Sequence, residues 1–388
     1  MNTSLSPDMP TAPQRAERQA QIVRGLEAVL PRHALLWNPE DTTPYECDGL
    51  TAYRQRPLVV ALPETEVQVQ AVLRTCHALG VPVVARGAGT GLSGGAMPHA
   101  LGVTLSLARF NKIVKIDPLS RTAVVQCGVR NLAISDAAAA HDLYYAPDPS
   151  SQIACTIGGN VAENSGGVHC LKYGLTLHNI VKIKGFTMDG EAVEFGSDAL
   201  DAPGYDLMSI IIGSEGMLAV TTEVTVKLIP KPQLANCIMA SFDDIRKAGD
   251  AVAAIIAAGI IPAGLEMMDK PMTAAVEDYV HAGYDKRRGD FAVRERRHAA
   301  RGRRRNRTHE RRAAQPRRHR PCGEPRRGRA AEVLERPQER LPSQRAHQPG
   351  LHVHGLDHST QAPGRHAAGN SADGNKIRFA LRQCVPRG

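Results

Sequence analysis

The 388-residue sequence is poor in aromatic residues, which make up 4% of it and include one Trp. It has no run of about 18 consecutive apolar residues, so a membrane-spanning helix is not expected. Its first ten residues, MNTSLSPDMP, lack the basic and apolar segments of a secretory signal. We therefore expect a cytoplasmic protein.

The cysteines and histidines show no pattern that is typical of a metal site. None of the eight cysteines belongs to a CxxC pair, so the sequence predicts no zinc or iron–sulfur ligand set and no disulfide scaffold. His352, His354 and His358 lie close together without a framework of Cys or carboxylate residues. We therefore expect no metal ion.

Acidic and apolar residues are scarce in one part of the chain, residues 286–388. This segment has 27 basic and 9 acidic residues, whereas the remaining 285 residues have 21 basic and 30 acidic ones. Only 12 of its residues are Ile, Leu, Val, Met, Phe, Trp or Tyr. So little apolar surface cannot offset the entropy of ordering a chain, and the segment is predicted to be a disordered Arg-rich tail.

Three interpretations of the tail remain open: a natural disordered tail, a nucleic-acid-binding arm, and an out-of-frame translation product. Arginine suits phosphate contacts, but the aromatic side chains that stack on bases are nearly absent, so we expect no nucleic-acid partner. Out-of-frame reading of a GC-rich gene enriches Arg, Ala, Pro, Gly and His, which dominate here. The abrupt change after a regular helical pattern favours a frameshift after about residue 285.

The part before the tail has the alternating pattern of an α/β protein. Residues 12–30 have helical periodicity. Residues 57–91 then predict a strand, a helix capped by Thr65, a second strand and a glycine loop. Residues 180–195 predict a hairpin with Asp189-Gly190 at its turn. After Gln233 a new strand–helix–strand–helix pattern begins, which predicts the first half of a second domain at residues 233–285.

The glycine loop RGAGTGLSGG, residues 86–95, is the most specific feature. It satisfies GxGxxG, but the dinucleotide-binding fold needs a long helix directly after the loop, and here a strand follows. A structural turn remains an alternative. We favour a nest of backbone N–H groups around a pyrophosphate, because glycines allow positive φ and close approach of the backbone.

Two further loops follow apolar segments in the same way. One begins at Pro147 with PDPSS and continues through TIGGNVAENSGG, and the other is GSEG at residues 213–216. Each alone could be a structural turn. Together the three loops indicate one elongated ligand that spans them.

These three loops resemble the FAD-binding domain shared by vanillyl-alcohol oxidase and p-cresol methylhydroxylase (PCMH). Within that family the sequence is most similar to the FAD-linked subunits of glycolate oxidases, beside D-lactate and D-2-hydroxyglutarate dehydrogenases. The resemblance implies an α+β fold with a PCMH-type FAD-binding domain and a ferredoxin-like cap domain, which is incomplete here. The expected organisation is a helical segment at 1–35, an FAD domain at 36–232 with subdomains at about 50–140 and 141–232, a partial cap at 233–285 and the tail at 286–388.

The resemblance also implies a reaction, the oxidation of a small 2-hydroxy acid such as glycolate or D-lactate by hydride transfer to flavin N5. The family's C-terminal histidine motif, HxGDGNxH, is absent, so the catalytic residues stay unknown and the chain is expected to be impaired. A catalytically dead FAD-binding fragment is the alternative, and a basic-tail nucleic-acid-binding protein is an alternative from another class. The sequence does not specify the 2-hydroxy acid.

The resemblance further implies how the cofactor is bound. No histidine lies in the loop at residues 86–95, so FAD is expected to be noncovalent. Partner subunits of iron–sulfur and second flavin type are implied, with membrane association only through them. His169, Cys170 and Tyr173 lie close to the flavin segment, and their role is left open between structure and function. The implied FAD contacts are Arg86, Gly87, Ala88, Gly89, Thr90, Gly91, Leu92, Ser93, Pro147, Ser151, Gly158, Gly159, Asn164, Gly167, Glu215, Gly216 and Val220.

Overall fold

The computed structural model describes residues 11–199, 204–287 and 289–297. The described chain divides into two compact units, with the division between Lys231 and Pro232. This point lies within one residue of the end expected for the FAD domain, after residue 232. Among the described residues, no helix is both long enough and apolar enough to cross a membrane.

The first unit alternates short strands and helices along the chain. Its elements are α1 (Ala12–Glu27), β1 (Leu35–Leu36), α2 (Pro39–Thr42), β2 (Val59–Ala61), α3 (Glu66–Ala78), β3 (Val83–Arg86), β4 (Val103–Ser106), β5 (Ile113–Asp117), β6 (Thr122–Gln126), α4 (Asn131–Ala138), β7 (Leu143–Tyr144), α5 (Ile157–Glu163), α6 (Cys170–Tyr173), β8 (Ile180–Phe186), β9 (Ala192–Gly196), α7 (Met208–Ile211), β10 (Val220–Lys227) and β11 (Ile229–Pro230).

A four-stranded sheet in the order β1-β2-β4-β3 forms the N-terminal half of this unit. β4 lies between β2 and β3 and pairs in parallel with both. β2 and β3 run in the same direction because α3 connects the end of one to the start of the other. Thr65 caps α3 as predicted, and its side chain accepts a hydrogen bond from the N–H of Gln68 at 3.3 Å. Apolar side chains of α1, α3 and these strands share one buried core, with Leu26, Leu73 and Leu105 fully enclosed.

A five-stranded antiparallel sheet in the order β5-β6-β10-β8-β9 forms the other half. The predicted hairpin is present as β8 and β9, with Gly190 at a φ of +80° in its turn. A turn at residues 117–120 joins β5 and β6, and the Asp117 carboxylate accepts hydrogen bonds from the N–H groups of Leu119 and Ser120. These bonds and Lys115 hold the pKa of Asp117 below its usual value.

The boundary between the two sheets lies earlier in the chain than the subdomain boundary expected near residue 140. β5 and β6 belong to the second sheet, so the division falls between Ser106 and Ile113. The reason is the long-range pairing of β6 with β10, in which Thr122 lies opposite Lys227. α4 ends at Ala138, and the chain turns at Asp142, which has a φ of +53°.

The second unit contains β12 (Leu234–Phe242), α8 (Ile245–Ala257), β13 (Gly264–Met268), α9 (Lys270–Val280) and β14 (Gly289–Arg297). The first four match the predicted strand–helix–strand–helix pattern. β14 lies between β12 and β13 and is antiparallel to both. The scarcity of apolar residues predicted disorder from residue 286 onward. The structure corrects this for β14, because the backbone of this strand forms hydrogen bonds with β12 on one side and β13 on the other.

α8 leaves apolar side chains only partly covered. Ala248 and Ala251 are buried, whereas Val252 and Ile255 are half-buried and Ile256 is 42% exposed. The tail prediction for residues 298–388 lies outside the described residues.

Candidate cofactor site

The first glycine loop begins where β3 ends, at Arg86. Gly89 and Gly94 have φ angles of +68° and +84°, which favour glycine. A Cβ atom on Gly89 would overlap the guanidinium of Arg86. No helix follows the loop before β4, in agreement with the prediction against a dinucleotide-binding fold.

The side chain of Arg86 contacts residues 45–48 of the protein itself. Arg86 is 9% exposed, and its Nη1 donates to the carbonyl of Cys47 at 2.8 Å. Its guanidinium also lies 5.6 Å from the ring centre of Tyr45. Burial lowers the pKa of Arg86, and the nearby Asp48 carboxylate opposes that shift. Arg86 therefore connects the start of the loop to residues 45–48.

The second loop leads into α5, and the protein backbone fixes the start of this helix. The N–H of Ile157 donates to the carbonyl of Val129 at 2.9 Å, and that of Gly158 donates to the carbonyl of Cys127 at 2.8 Å. A Cβ atom on Gly158 would lie 2.7 Å from Cβ of Cys127. Gly158 is therefore required by protein packing alone.

The third loop binds to the other end of the same helix. The N–H of Gly213 donates to the carbonyl of Val161 at 2.9 Å, and that of Glu215 donates to the carbonyl of Ala162 at 2.8 Å. Glu215 and Gly216 have φ angles of +55° and +74°. These bonds satisfy carbonyls at the C-terminus of α5 that lack partners inside the helix. α5 thus holds the second and third loops at fixed positions.

The three loops surround one cleft, whose empty volume is about 1010 Å³ including the part open to solvent. The structure brings together twelve of the residues that the resemblance assigned to FAD. They are Arg86, Gly87, Ala88, Gly89, Thr90, Gly91, Ser151, Gly158, Gly159, Glu215, Gly216 and Val220.

The other five predicted contacts, Leu92, Ser93, Pro147, Asn164 and Gly167, do not line this cleft. The described contacts of the last three support the loops. The Pro147 carbonyl accepts a hydrogen bond from Asn131 at 3.1 Å. Asn164 ends α5 with a φ of +49°, and a Cβ atom on Gly167 would overlap the backbone of Asp148.

Several polar residues that line the cleft were not predicted from the sequence. Thr156 is the first residue of the TIGG motif and Ser214 lies within GSEG, and this position was the available signal for them. Glu163 lies two turns along α5 from Thr156 and so shares its face of the helix. The remaining polar ones, Cys127, Cys155, Asn160, Ser165 and Thr221, needed the tertiary structure to be found.

Charge in the cleft is unevenly distributed. Arg86 is the one basic residue among the described lining residues, and its guanidinium bonds to Cys47, behind the loop. Glu163 and Glu215 bring carboxylates close to Gly95, since a Cβ atom there would lie 2.8 Å and 3.5 Å from their oxygens. An anionic ligand would therefore be held mainly by neutral N–H and O–H donors.

His169 and Asp148 form a buried pair beside the cleft. Nδ1 of His169 lies 2.5 Å from Oδ2 of Asp148, and the His169 N–H donates to Oδ1 at 3.3 Å. The His169 ring packs near Tyr173, with ring centres 6.4 Å apart. Neither these residues nor Cys170 line the cleft. The described contacts of His169 join the second loop to α6, and its buried Nε2 has no hydrogen-bond partner among the described residues.

The cleft fits a dinucleotide-type cofactor that lies against backbone. A Cβ atom on Gly91 or Gly159 would have nothing closer than 3.9 Å and 3.5 Å, respectively, so the protein itself does not require glycine there. The buried hydroxyl oxygen of Thr156 has no hydrogen-bond partner in the part of the chain that the structure describes. Space without side chains and an unsatisfied donor both indicate a bound ligand.

Comparison with known families decides the cofactor. Residues 57–196 match the family model described as FAD binding domain, and residues 231–312 match the one for FAD linked oxidases, C-terminal domain. The first unit thus contains a region, residues 57–196, that matches an FAD-binding domain. The cofactor of this chain is therefore FAD, as the resemblance of the three loops implied. The second match begins at the division between the two units and continues past Asp285.

The similar curated proteins are mainly hydroxy-acid enzymes. The chain is 62% identical to glycolate oxidase subunit GlcD of Escherichia coli K12 over 266 residues, which cover 69% of this chain and 53% of that protein. It is 40% identical to GlcD of Bacillus subtilis 168 over 240 residues, covering 62% and 51%. It is 34% identical to a D-lactate dehydrogenase of Archaeoglobus fulgidus over 213 residues, covering 55% and 47%. The chain thus spans about half the length of the curated relatives it matches.

Solved structures confirm the fold. The p-cresol methylhydroxylase structure with substrate bound has a TM-score of 0.62 at 17% identity and covers 73% of this chain and 62% of that one. An alkyldihydroxyacetonephosphate synthase has a TM-score of 0.62 at 21% identity, covering 76% and 58%. The PCMH-type FAD-binding fold expected from the sequence is therefore confirmed. The finer prediction of a ferredoxin-like cap stays a prediction.

Proposed function

We propose that this chain is an FAD-dependent oxidoreductase for a small 2-hydroxy acid of the glycolate or D-lactate type. The observation that carries the proposal is the 62% identity to a glycolate oxidase subunit, which comes with a cleft suited to FAD in the same chain. When bound, FAD supplies the hydride acceptor. The residues of the chain hold the cofactor in the cleft between the three loops, and they exclude water from the backbone of these loops.

The proposed substrate contacts lie elsewhere. A 2-hydroxy acid requires a cation for its carboxylate and a base for its hydroxyl proton. No histidine stands among the described residues of the cleft, and its one arginine donates a hydrogen bond to the carbonyl of Cys47. Because the printed sequence also lacks the HxGDGNxH motif, the second candidate is a chain that binds FAD without oxidising a substrate.

We also propose that partner subunits complete the enzyme. The Escherichia coli and Bacillus subtilis relatives are each named as a subunit of glycolate oxidase. Iron–sulfur and second flavin-type subunits would carry electrons away from FAD. Any association with a membrane would be through those subunits.

The test is dye reduction with glycolate and D-lactate, using the full chain and a version whose reading frame is corrected after residue 285. We expect turnover from the corrected version and a rate lower by several orders of magnitude from the chain as written, because losing both base and carboxylate-binding group removes most of the rate enhancement. Comparable turnover from both would show that the tail is native. Turnover from neither, with FAD bound to both, would contradict the substrate class.

A further inference from the structure

Thr156 occupies the N-cap position of α5 without capping it. Its φ of −102° and ψ of 153° are those of an N-cap residue, yet its side chain makes no capping hydrogen bond. Two other threonines of this chain behave as expected: Thr11 and Thr65 accept hydrogen bonds from backbone N–H groups at the starts of α1 and α3. Thr156 therefore gives up the usual role of threonine at this position.

The hydroxyl of Thr156 is also buried. The residue is 7% exposed, and Oγ1 has no partner among the described residues. Most buried hydroxyls in proteins have a hydrogen-bond partner, because leaving one unsatisfied is costly. Among the described residues that line the cleft, Thr156 is the one with such an unpartnered buried side-chain atom, which indicates a ligand atom as its partner.

The position of this hydroxyl indicates which part of the ligand it meets. A Cβ atom on Gly87, in the first glycine loop, would overlap Oγ1 of Thr156, and one on Gly159 would lie 3.5 Å from it. The hydroxyl thus lies where the first loop meets α5, inside the cleft lined by both. Gly87 belongs to the loop whose backbone is expected to cradle the pyrophosphate.

The charges in the cleft favour the same assignment. Arg86 is the one basic residue among the described residues of the cleft, and its Nη1 donates to the carbonyl of Cys47. Hydrogen bonds to ionised acceptors are shorter and stronger than those between neutral groups. A neutral donor therefore contributes most at a phosphate oxygen.

We propose that the Thr156 hydroxyl donates a hydrogen bond to a pyrophosphate oxygen of FAD. Thr156 is then a binding residue that supplies through O–H what a lysine or arginine supplies elsewhere. The proposal rests on the FAD-binding function stated above, but it can fail while that function holds.

The experiment compares Thr156→Val, which keeps the shape and removes the hydroxyl, with Thr156→Ser, which keeps the hydroxyl. The dissociation constant of FAD is measured by flavin fluorescence on apoprotein prepared from the full chain. We expect binding to weaken by about 10- to 100-fold in Thr156→Val, the range for a hydrogen bond to a charged group. Thr156→Ser should stay within about threefold of the unmodified chain.

Apoprotein stability separates this role from a structural one. Since Oγ1 has no protein partner among the described residues, Thr156→Val should leave the melting temperature of the apoprotein unchanged or raise it. Thr65→Val is the matched control, because its hydroxyl caps α3. That variant should lower the melting temperature and leave FAD affinity unchanged.

Fragments of the cofactor locate the contact. ADP contains the pyrophosphate and riboflavin does not, so Thr156→Val should weaken ADP binding and spare riboflavin. An FAD affinity within about threefold of the unmodified chain, or an equal loss for riboflavin, would overturn the proposal while FAD binding itself stands. Failure of the unmodified chain to bind FAD would overturn both.

Discussion

At the scale of single residues, buried polar groups account for how the site is shaped before any ligand binds. Arg86 and Asp48 form the clearest case. Asp48 is 4% exposed, its carboxylate accepts a hydrogen bond from the N–H of Leu50 at 2.8 Å, and its Oδ2 has no hydrogen-bond partner in the described chain. Its charge also acts on Arg86, whose pKa it raises against the larger lowering by burial.

Arg86→Met should destabilise the protein strongly, because it leaves Asp48 as an uncompensated buried charge. We expect the free energy of unfolding to fall by about 3 kcal/mol, measured by denaturant titration of the apoprotein. Adding Asp48→Asn to the same chain should recover part of the loss. If the two substitutions were simply additive, the electrostatic pairing of the two residues would be contradicted.

At the scale of elements, α5 is the part that organises the site. Its start is bonded to the chain after β6, and the carbonyls of its last turn are bonded to the third loop. Two adjacent glycines on this helix serve different purposes. Gly158 packs against Cys127, whereas Gly159 faces the open cleft.

The pair Gly158→Ala and Gly159→Ala should separate folding from cofactor binding. Gly158→Ala should cost about 1–3 kcal/mol in unfolding free energy, because its Cβ would lie 2.7 Å from that of Cys127. Gly159→Ala should keep or raise apoprotein stability, since alanine favours a helix, and weaken FAD binding at least about tenfold.

The same two variants also define which result would contradict the site. Melting temperatures and FAD dissociation constants are measured on the same preparations. Unchanged FAD affinity in Gly159→Ala would show that the cofactor does not lie against this face of α5. Gly89 is a poorer target for this purpose, because its Cβ would overlap the guanidinium of Arg86.

The sequence predicted those helices, strands and turns that depend on residues close together in the chain. The segment from β2 through α3 and β3 to the glycine loop, the Asp189-Gly190 hairpin and the cap at Thr65 all follow from periodicity and turn chemistry. The division between the two sheets did not, because β6 pairs with a strand about 100 residues later in the chain. The unsatisfied hydroxyl of Thr156 depends equally on distant packing, since nothing next to it in sequence distinguishes it from a capping threonine.

β14 illustrates a different limit. Its segment is GDFAVRERR, and the charged run RERR at its end is typical of solvated chain. Backbone pairing with β12 and β13 on both sides makes it a central strand of its sheet. The composition therefore showed where the apolar pattern ends, near residue 285. It did not show that the backbone continues in a paired strand to Arg297.

At the scale of the whole molecule, the sequence combines two regions of opposite charge. Residues 1–285 carry a net charge of −9 and residues 286–388 one of +18. The described residues that line the FAD cleft all belong to the acidic region. We therefore expect FAD binding to be independent of the tail, whereas the proposed substrate oxidation should depend on the residues after position 285.

Flavin content shows most directly whether this chain binds FAD through its three loops. The full chain, refolded with FAD and freed of excess, should show a flavin absorption spectrum and close to stoichiometric FAD. Acid precipitation should release the flavin into solution, because no histidine lies in the loop at residues 86–95. Tight binding of NADH together with absence of flavin under every refolding condition would contradict FAD binding by the three loops.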